Sequence, residues 1–179
     1  MNKSVKTAAG VMCATAMVMA MGNSVFAEEG KTLKVAMECG YAPYNWTQPT
    51  DENGAVQIAD STEYAYGYDV MMAKHICDEL GYNLEIVKMD WDSLVPAVVS
   101  GNVDCVIAGQ SITAERQEMV DFTDPYYYAS IITLTKSDSK YADAKGVADL
   151  AGATCTSQLN TIWYDNCLPQ IKDANILPA

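Results

Sequence analysis

From Leu33 onward the chain alternates short β-type runs with segments of helical period, and this alternation confines it to an α/β fold built on parallel βαβ units. Residues 33–38 (LKVAME) read as the first strand. Val70, Ala73, Cys77 and Leu80 recur at helical spacing and Gly81 supplies a stop, so 69–80 reads as an amphipathic helix. Residues 84–87 (LEIV) form the second strand, and 90–101 hold a helix that tolerates Pro96 in its first turn and ends at Gly101. The third strand is 104–108 (DCVIA), followed by Thr113 as N-cap of a short helix through Gln117. The polar stretch 48–61, rich in Asp, Asn, Gly and Pro, is expected to be a surface insertion. A second, smaller α/β region begins at the β-branched run 131–135, with a helix near 147–150, a strand at 153–156, a helix from Thr161 and a strand near 175–177.

The first 27 residues read as an export signal. Lys3 and Lys6 precede an apolar run, and Val25-Phe-Ala27 places small residues where a signal peptidase cuts. The apolar run stops at Gly22-Asn-Ser24, short of the roughly 20 residues that span a bilayer. The expected location is therefore periplasmic or extracellular, in a bacterium. Removing Lys3 and Lys6 with the signal takes the formal charge from −12 to −14, which argues against nucleic acid and anionic membranes as partners. Five cysteines remain (Cys39, Cys77, Cys105, Cys155 and Cys167); an odd number without a CxxC spacing is neither a zinc site nor a complete disulfide framework. Free thiols are the expected state, although Cys155 with Cys167 is a conceivable pair. His75 is the sole histidine and sits mid-helix, so no histidine-based catalysis is expected; no cofactor or metal is expected either.

In open parallel sheets, ligands bind beyond the carboxyl ends of the strands. Here the first strand delivers Glu38 and Tyr41 to that edge, the second Asp90 and Trp91, and the third Gly109, Ser111, Thr113 and Arg116. Arg116 is the only arginine in the chain. Its planar fork fits a carboxylate with two parallel hydrogen bonds, which a lysine cannot do. One edge thus gathers two aromatic faces, two hydroxyls, a carboxylate and a guanidinium, a set suited to a small zwitterion or carboxylate with an apolar body.

Five ordered motifs, GYDV at 67–70, WDSLVPA at 91–97, SGNVD at 100–104, SITAER at 111–116 and VDFTDPYY at 120–127, resemble the extracellular solute-binding proteins of family 3, the polar amino-acid receptors of ATP-driven importers. The resemblance implies a type II periplasmic-binding-protein-like fold of two lobes with parallel-rich sheets: lobe I over 28–129 and an incomplete lobe II over 130–179. It implies that the chain stops before the second lobe is complete, leaving apolar edges exposed. It also implies a monomer that binds a free amino acid and delivers it to the membrane permease of an ABC transporter, without catalysis. By motif, Arg116 clamps the ligand α-carboxylate, Ser111 and the Gly109 backbone hold its polar groups, Tyr41 and Trp91 form the walls, and Glu38 meets the ligand side chain. The family commonly has Gly-Thr-Thr before a carboxylate-capping helix where this chain has Asn160-Thr-Ile162; backbone N–H groups around Thr161 can still serve there. Two alternatives stay open. A cyclohexadienyl (prephenate or arogenate) dehydratase on the same fold would use Glu38 as general acid, and a receptor sensor lobe would need a membrane segment elsewhere.

Overall fold

The computed structural model describes residues 30–178; the expected signal segment 1–27 lies outside the described residues. The first body is organised around a three-stranded parallel sheet. Its central strand is β1 (Thr32–Met37); the strands of residues 40–41, 45–48, 56–57 and 64–66 (β2 to β5) form a separate sheet, and β6 (Asn83–Lys88) and β7 (Cys105–Val106) flank β1 in the order β6-β1-β7. Val35, Ala36 and Met37 are fully buried because β1 is covered on both faces, as its unbroken apolar run requires. Helix α1 (Tyr68–Leu80) packs Val70, Ala73 and Cys77 inward and ends at Gly81 in the left-handed region, φ 69°. Leu80, the last residue of the apolar period, is exposed, and Asp69 at the helix start is buried instead.

Residues 48–61 are exposed over 49–54, as expected of a surface insertion, but the two ends of the stretch are tied into an antiparallel sheet ordered β2-β3-β5-β4, comprising β2 (Gly40–Tyr41), β3 (Asn45–Gln48), β4 (Val56–Gln57) and β5 (Tyr64–Tyr66). Ile58 is buried and bridges to Ile86 of the main sheet, and Val56 packs partly buried against the same core, so two apolar side chains pin a stretch that is otherwise mostly polar. After β6, Trp91–Ser93 makes a single 3₁₀ turn before α2 (Leu94–Val99), in whose first turn Pro96 needs no N–H partner. Helix α3 is the one turn Ala114–Gln117.

The second body is small. A 3₁₀ turn (Val147–Leu150) leads into β8 (Thr154–Cys155), which pairs in parallel with β9 (Asn175–Ile176) over a core of Leu150, Ala153 and Ile171. The helix expected from Thr161 is a π turn, Trp163–Cys167, followed by a 3₁₀ turn, Leu168–Gln170. Pro169 accounts for the break, since it has no N–H to return to the preceding turn. The run 131–135 forms no strand; Ile132 and Leu134 stand 84% and 94% exposed. The five cysteines expected to be thiols are free, with Cys39 and Cys77 buried.

Candidate functional site

The carboxyl edge of the parallel sheet faces the second body, and the cleft between them is lined by Tyr41, Trp91, Gly109, Ser111, Arg116, Thr161, Ile162 and Trp163. Its enclosed volume is about 10 Å³, room for about one water. A wider hollow of about 340 Å³ continues from it past Tyr44, Phe122, Tyr126 and Tyr127.

Arg116 projects from α3, whose first turn is fixed by Thr113: its Oγ1 accepts from the Arg116 backbone N–H at 3.2 Å. The guanidinium lies 5.5 Å from the Trp91 ring centroid. Its Nη1 donates to the Ser111 carbonyl at 2.8 Å and its Nη2 to the Asn160 carbonyl at 3.3 Å. Burial lowers the guanidinium from its ordinary pKa, with Glu115 and Asp165 pulling the other way. Trp91 Nε1 donates to the same Asn160 carbonyl at 2.9 Å, and Asn160 Nδ2 donates to Asp92 Oδ1 at 2.8 Å. At the rim, Gln158 Nε2 donates to Glu38 Oε1 at 3.0 Å, and the Tyr41 and Trp163 rings meet at 5.9 Å. Thr161 is buried, its Oγ1 donating to the Gln158 carbonyl at 2.6 Å and accepting from Tyr164 N–H at 3.3 Å.

Beneath the cleft runs a buried polar network. Asp69 is fully buried, accepting from Asn45 Nδ2 on one oxygen and from Tyr126 OH on the other, each at 2.7 Å. The Tyr126 hydroxyl in turn accepts from Gly109 N–H at 3.0 Å, and Asn45 Oδ1 accepts from Cys39 N–H at 2.8 Å. Burial pushes the Asp69 carboxyl up, and the hydrogen bonds from Tyr126, Asn45 and Gly109 pull it back. The network therefore holds the backbone just before Tyr41 and the backbone at Gly109, two edges of the cleft, at one separation. Gly109 itself sits at φ +60°, where an added Cβ would lie 3.3 Å from the Tyr41 ring.

Tyr41, Trp91, Gly109, Ser111, Arg116 and Thr161 all meet on the cleft. Two expected site residues do not line it: Glu38 is at the rim with Gln158, and the Thr113 hydroxyl is spent on capping α3. From the second body, the group directed at Arg116 is the Asn160 carbonyl. Sequence reasoning missed Gln158, Asn160 and Trp163, and the Asn45, Asp69 and Tyr126 network. A polar residue at the second position of an otherwise apolar helix stripe, Asp69 before Val70, was the one available signal for that network.

The family model for bacterial extracellular solute-binding proteins, family 3, matches residues 33–174. An octopine-binding periplasmic protein of Rhizobium meliloti is 31% identical over 140 residues, covering 78% of this chain and 42% of that protein. An arginine-binding extracellular protein of Bacillus subtilis is 32% identical over 152 residues, covering 84% and 53%. This chain thus spans about half the length of the curated relatives it matches. Among solved structures, arginine-bound truncated ArgBP from T. maritima superposes with a TM-score of 0.65 at 29% identity, covering 83% of this chain and 63% of that one. An ancestral amino acid-binding protein, a precursor of cyclohexadienyl dehydratase, gives 0.66 at 31% identity, covering 83% and 61%.

Proposed function

The chain belongs to the bacterial extracellular solute-binding proteins of family 3, with the α/β fold of type II periplasmic binding proteins, and from that premise we propose that it binds a free amino acid outside the cytoplasm for delivery to the permease of an ABC importer. The observation that carries the reading is the chain's single guanidinium, Arg116, held against the Trp91 face in a cleft walled by Tyr41, with backbone oxygens already on its donors. A fork so placed donates to oxygens in pairs, and an α-carboxylate supplies them. Glu38 at the rim can only accept hydrogen bonds, which favours a polar ligand whose side chain carries donors. Relatives named for binding arginine, histidine and octopine support that class. Contacts from both bodies converge on the cleft, so a ligand bonded to both would favour closure, and the closed form is the shape a permease would read.

We read the chain as a binding protein and not an enzyme. A dehydratase would need a free general acid in the cleft, and Glu38, the carboxylate the sequence offers for that role, is engaged by Gln158. Isothermal titration of the chain against the twenty L-amino acids tests the reading, with release of product from prephenate and arogenate as the arm for the enzyme. The expected result is binding confined to a few polar amino acids and no turnover. Turnover, or indifference to every amino acid at millimolar concentration, overturns it.

A further inference from the structure

Two donors that face the cleft are spent on one backbone oxygen. The Asn160 carbonyl accepts from Trp91 Nε1 at 2.9 Å and from Arg116 Nη2 at 3.3 Å. A carboxylate approaching the guanidinium meets that oxygen first, and two electron-rich oxygens repel each other when crowded onto the same donor edge. Two features hold the carbonyl in place. Asn160 has φ +58°, in the left-handed region that asparagine tolerates better than most residues. Its side chain is also tethered by Nδ2 to Asp92 Oδ1 at 2.8 Å, on the same turn as Trp91.

Resting on the reading of this cleft as an amino-acid site, we propose that Asn160 is an affinity-setting residue: its carbonyl competes with the ligand carboxylate for the Arg116 and Trp91 donors, and the Asn160–Thr161 peptide must rotate before the carboxylate can bind. The C=O and N–H of a trans peptide point in opposite directions. The same rotation therefore carries the Thr161 N–H to the face the oxygen leaves, replacing an acceptor by a donor for the incoming anion. Thr161 provides a fixed pivot, because its buried hydroxyl stays bonded to Gln158 and Tyr164. The Asn160 contact is a competitor of the ligand, so loosening it strengthens binding.

Two variants loosen it by different routes. Asp92→Ala cuts the side-chain tether from an exposed position without touching the backbone at 160. Asn160→Gly removes the tether and keeps the left-handed conformation accessible. The probes are L-arginine and agmatine, the latter the same molecule without its carboxylate, titrated by calorimetry and by NMR on ¹⁵N-labelled chain. The dissociation constant for L-arginine is expected to fall about three- to tenfold in both variants, the scale of one hydrogen bond. Agmatine is expected to gain nothing. In the unsubstituted chain, the Trp91 Nε1–H resonance is expected to shift as L-arginine saturates, because its carbonyl acceptor leaves. With folding checked by denaturant melts, an L-arginine constant that rises or stays unchanged in Asp92→Ala overturns the competition, as does an equal gain for agmatine. So does a Trp91 resonance that stays still while L-arginine binds, and each of these leaves the amino-acid reading standing. Failure of L-arginine and every other amino acid to bind overturns the reading itself.

Discussion

Replacing Tyr126 by phenylalanine removes one oxygen from a site where it makes two bonds, and the structure sets the size of the effect. The lost bond to Asp69, 2.7 Å and charge-assisted, is of the kind worth about 1.5–3 kcal/mol. The Gly109 N–H also loses its acceptor, but Gly109 is exposed and water can replace that bond at small cost. Tyr126→Phe is therefore expected to cost about 2–3 kcal/mol at neutral pH. The cost carries a pH signature. Asp69 has a folded pKa raised by burial, and the Tyr126 bond partly lowers it; without that bond the folded pKa rises further. A raised folded pKa confers stability that is fully present below the unfolded value and is lost as pH rises through the folded one. The variant thus loses more than the parent between pH 4.5 and 7.5, and the difference between them shrinks toward acid. Urea melts at those two pH values measure it. A penalty under about 0.5 kcal/mol at pH 7.5, or one that does not shrink at pH 4.5, would refute the network's role.

Gly109→Ala places a Cβ 3.3 Å from the Tyr41 ring at φ +60°, so a loss of about 1–2 kcal/mol in urea melts is expected; unchanged stability would mean that the turn relaxes freely. Glu38→Gln should narrow the preference for basic over neutral amino acids in calorimetry, and unchanged relative affinities would remove Glu38 from ligand contact. Ile132→Lys and Leu134→Lys, at 84% and 94% exposure, should change stability in urea melts by less than about 0.5 kcal/mol; a loss above about 1 kcal/mol would show that the segment is packed.

The parallel sheet and α1 were legible because burial imposes a period. Val35, Ala36 and Met37 form an unbroken apolar run, and Val70, Ala73 and Cys77 share one helix face, in sequence as in structure. The antiparallel sheet was not legible, because β2 and β4 are two residues long and its buried apolar anchors, Ile58 and Ala65, are isolated among polar residues. Arg116 stood out as the single arginine, and the strand-end rule placed Tyr41, Trp91, Gly109 and Ser111 beside it. Glu38 and Thr113 share the same edge; Thr113 is taken by the α3 cap that its position before the helix already announced, whereas Glu38 is engaged by Gln158, 120 residues further on, a pairing the order of residues does not reveal. The Asn160 carbonyl was out of reach for a deeper reason: a backbone orientation leaves no trace in side-chain identity beyond asparagine's tolerance of positive φ. Asn45 and Asp69 escaped because buried polar residues break the hydrophobic pattern on which core assignment depends.

The central claim is that one bidentate guanidinium holds the carboxylate of an amino acid, and Arg116→Lys tests it most directly when measured beside Arg116→Ala. Lysine keeps the charge but offers a compact, strongly hydrated ammonium without the paired geometry. Calorimetric titration of the best-binding amino acid into the parent and both variants, with urea melts on the same samples, is expected to show a loss of about 2–4 kcal/mol in affinity for either change and little change in stability. Near-parental binding by Arg116→Lys would contradict the account, because the site would then need only a diffuse positive charge.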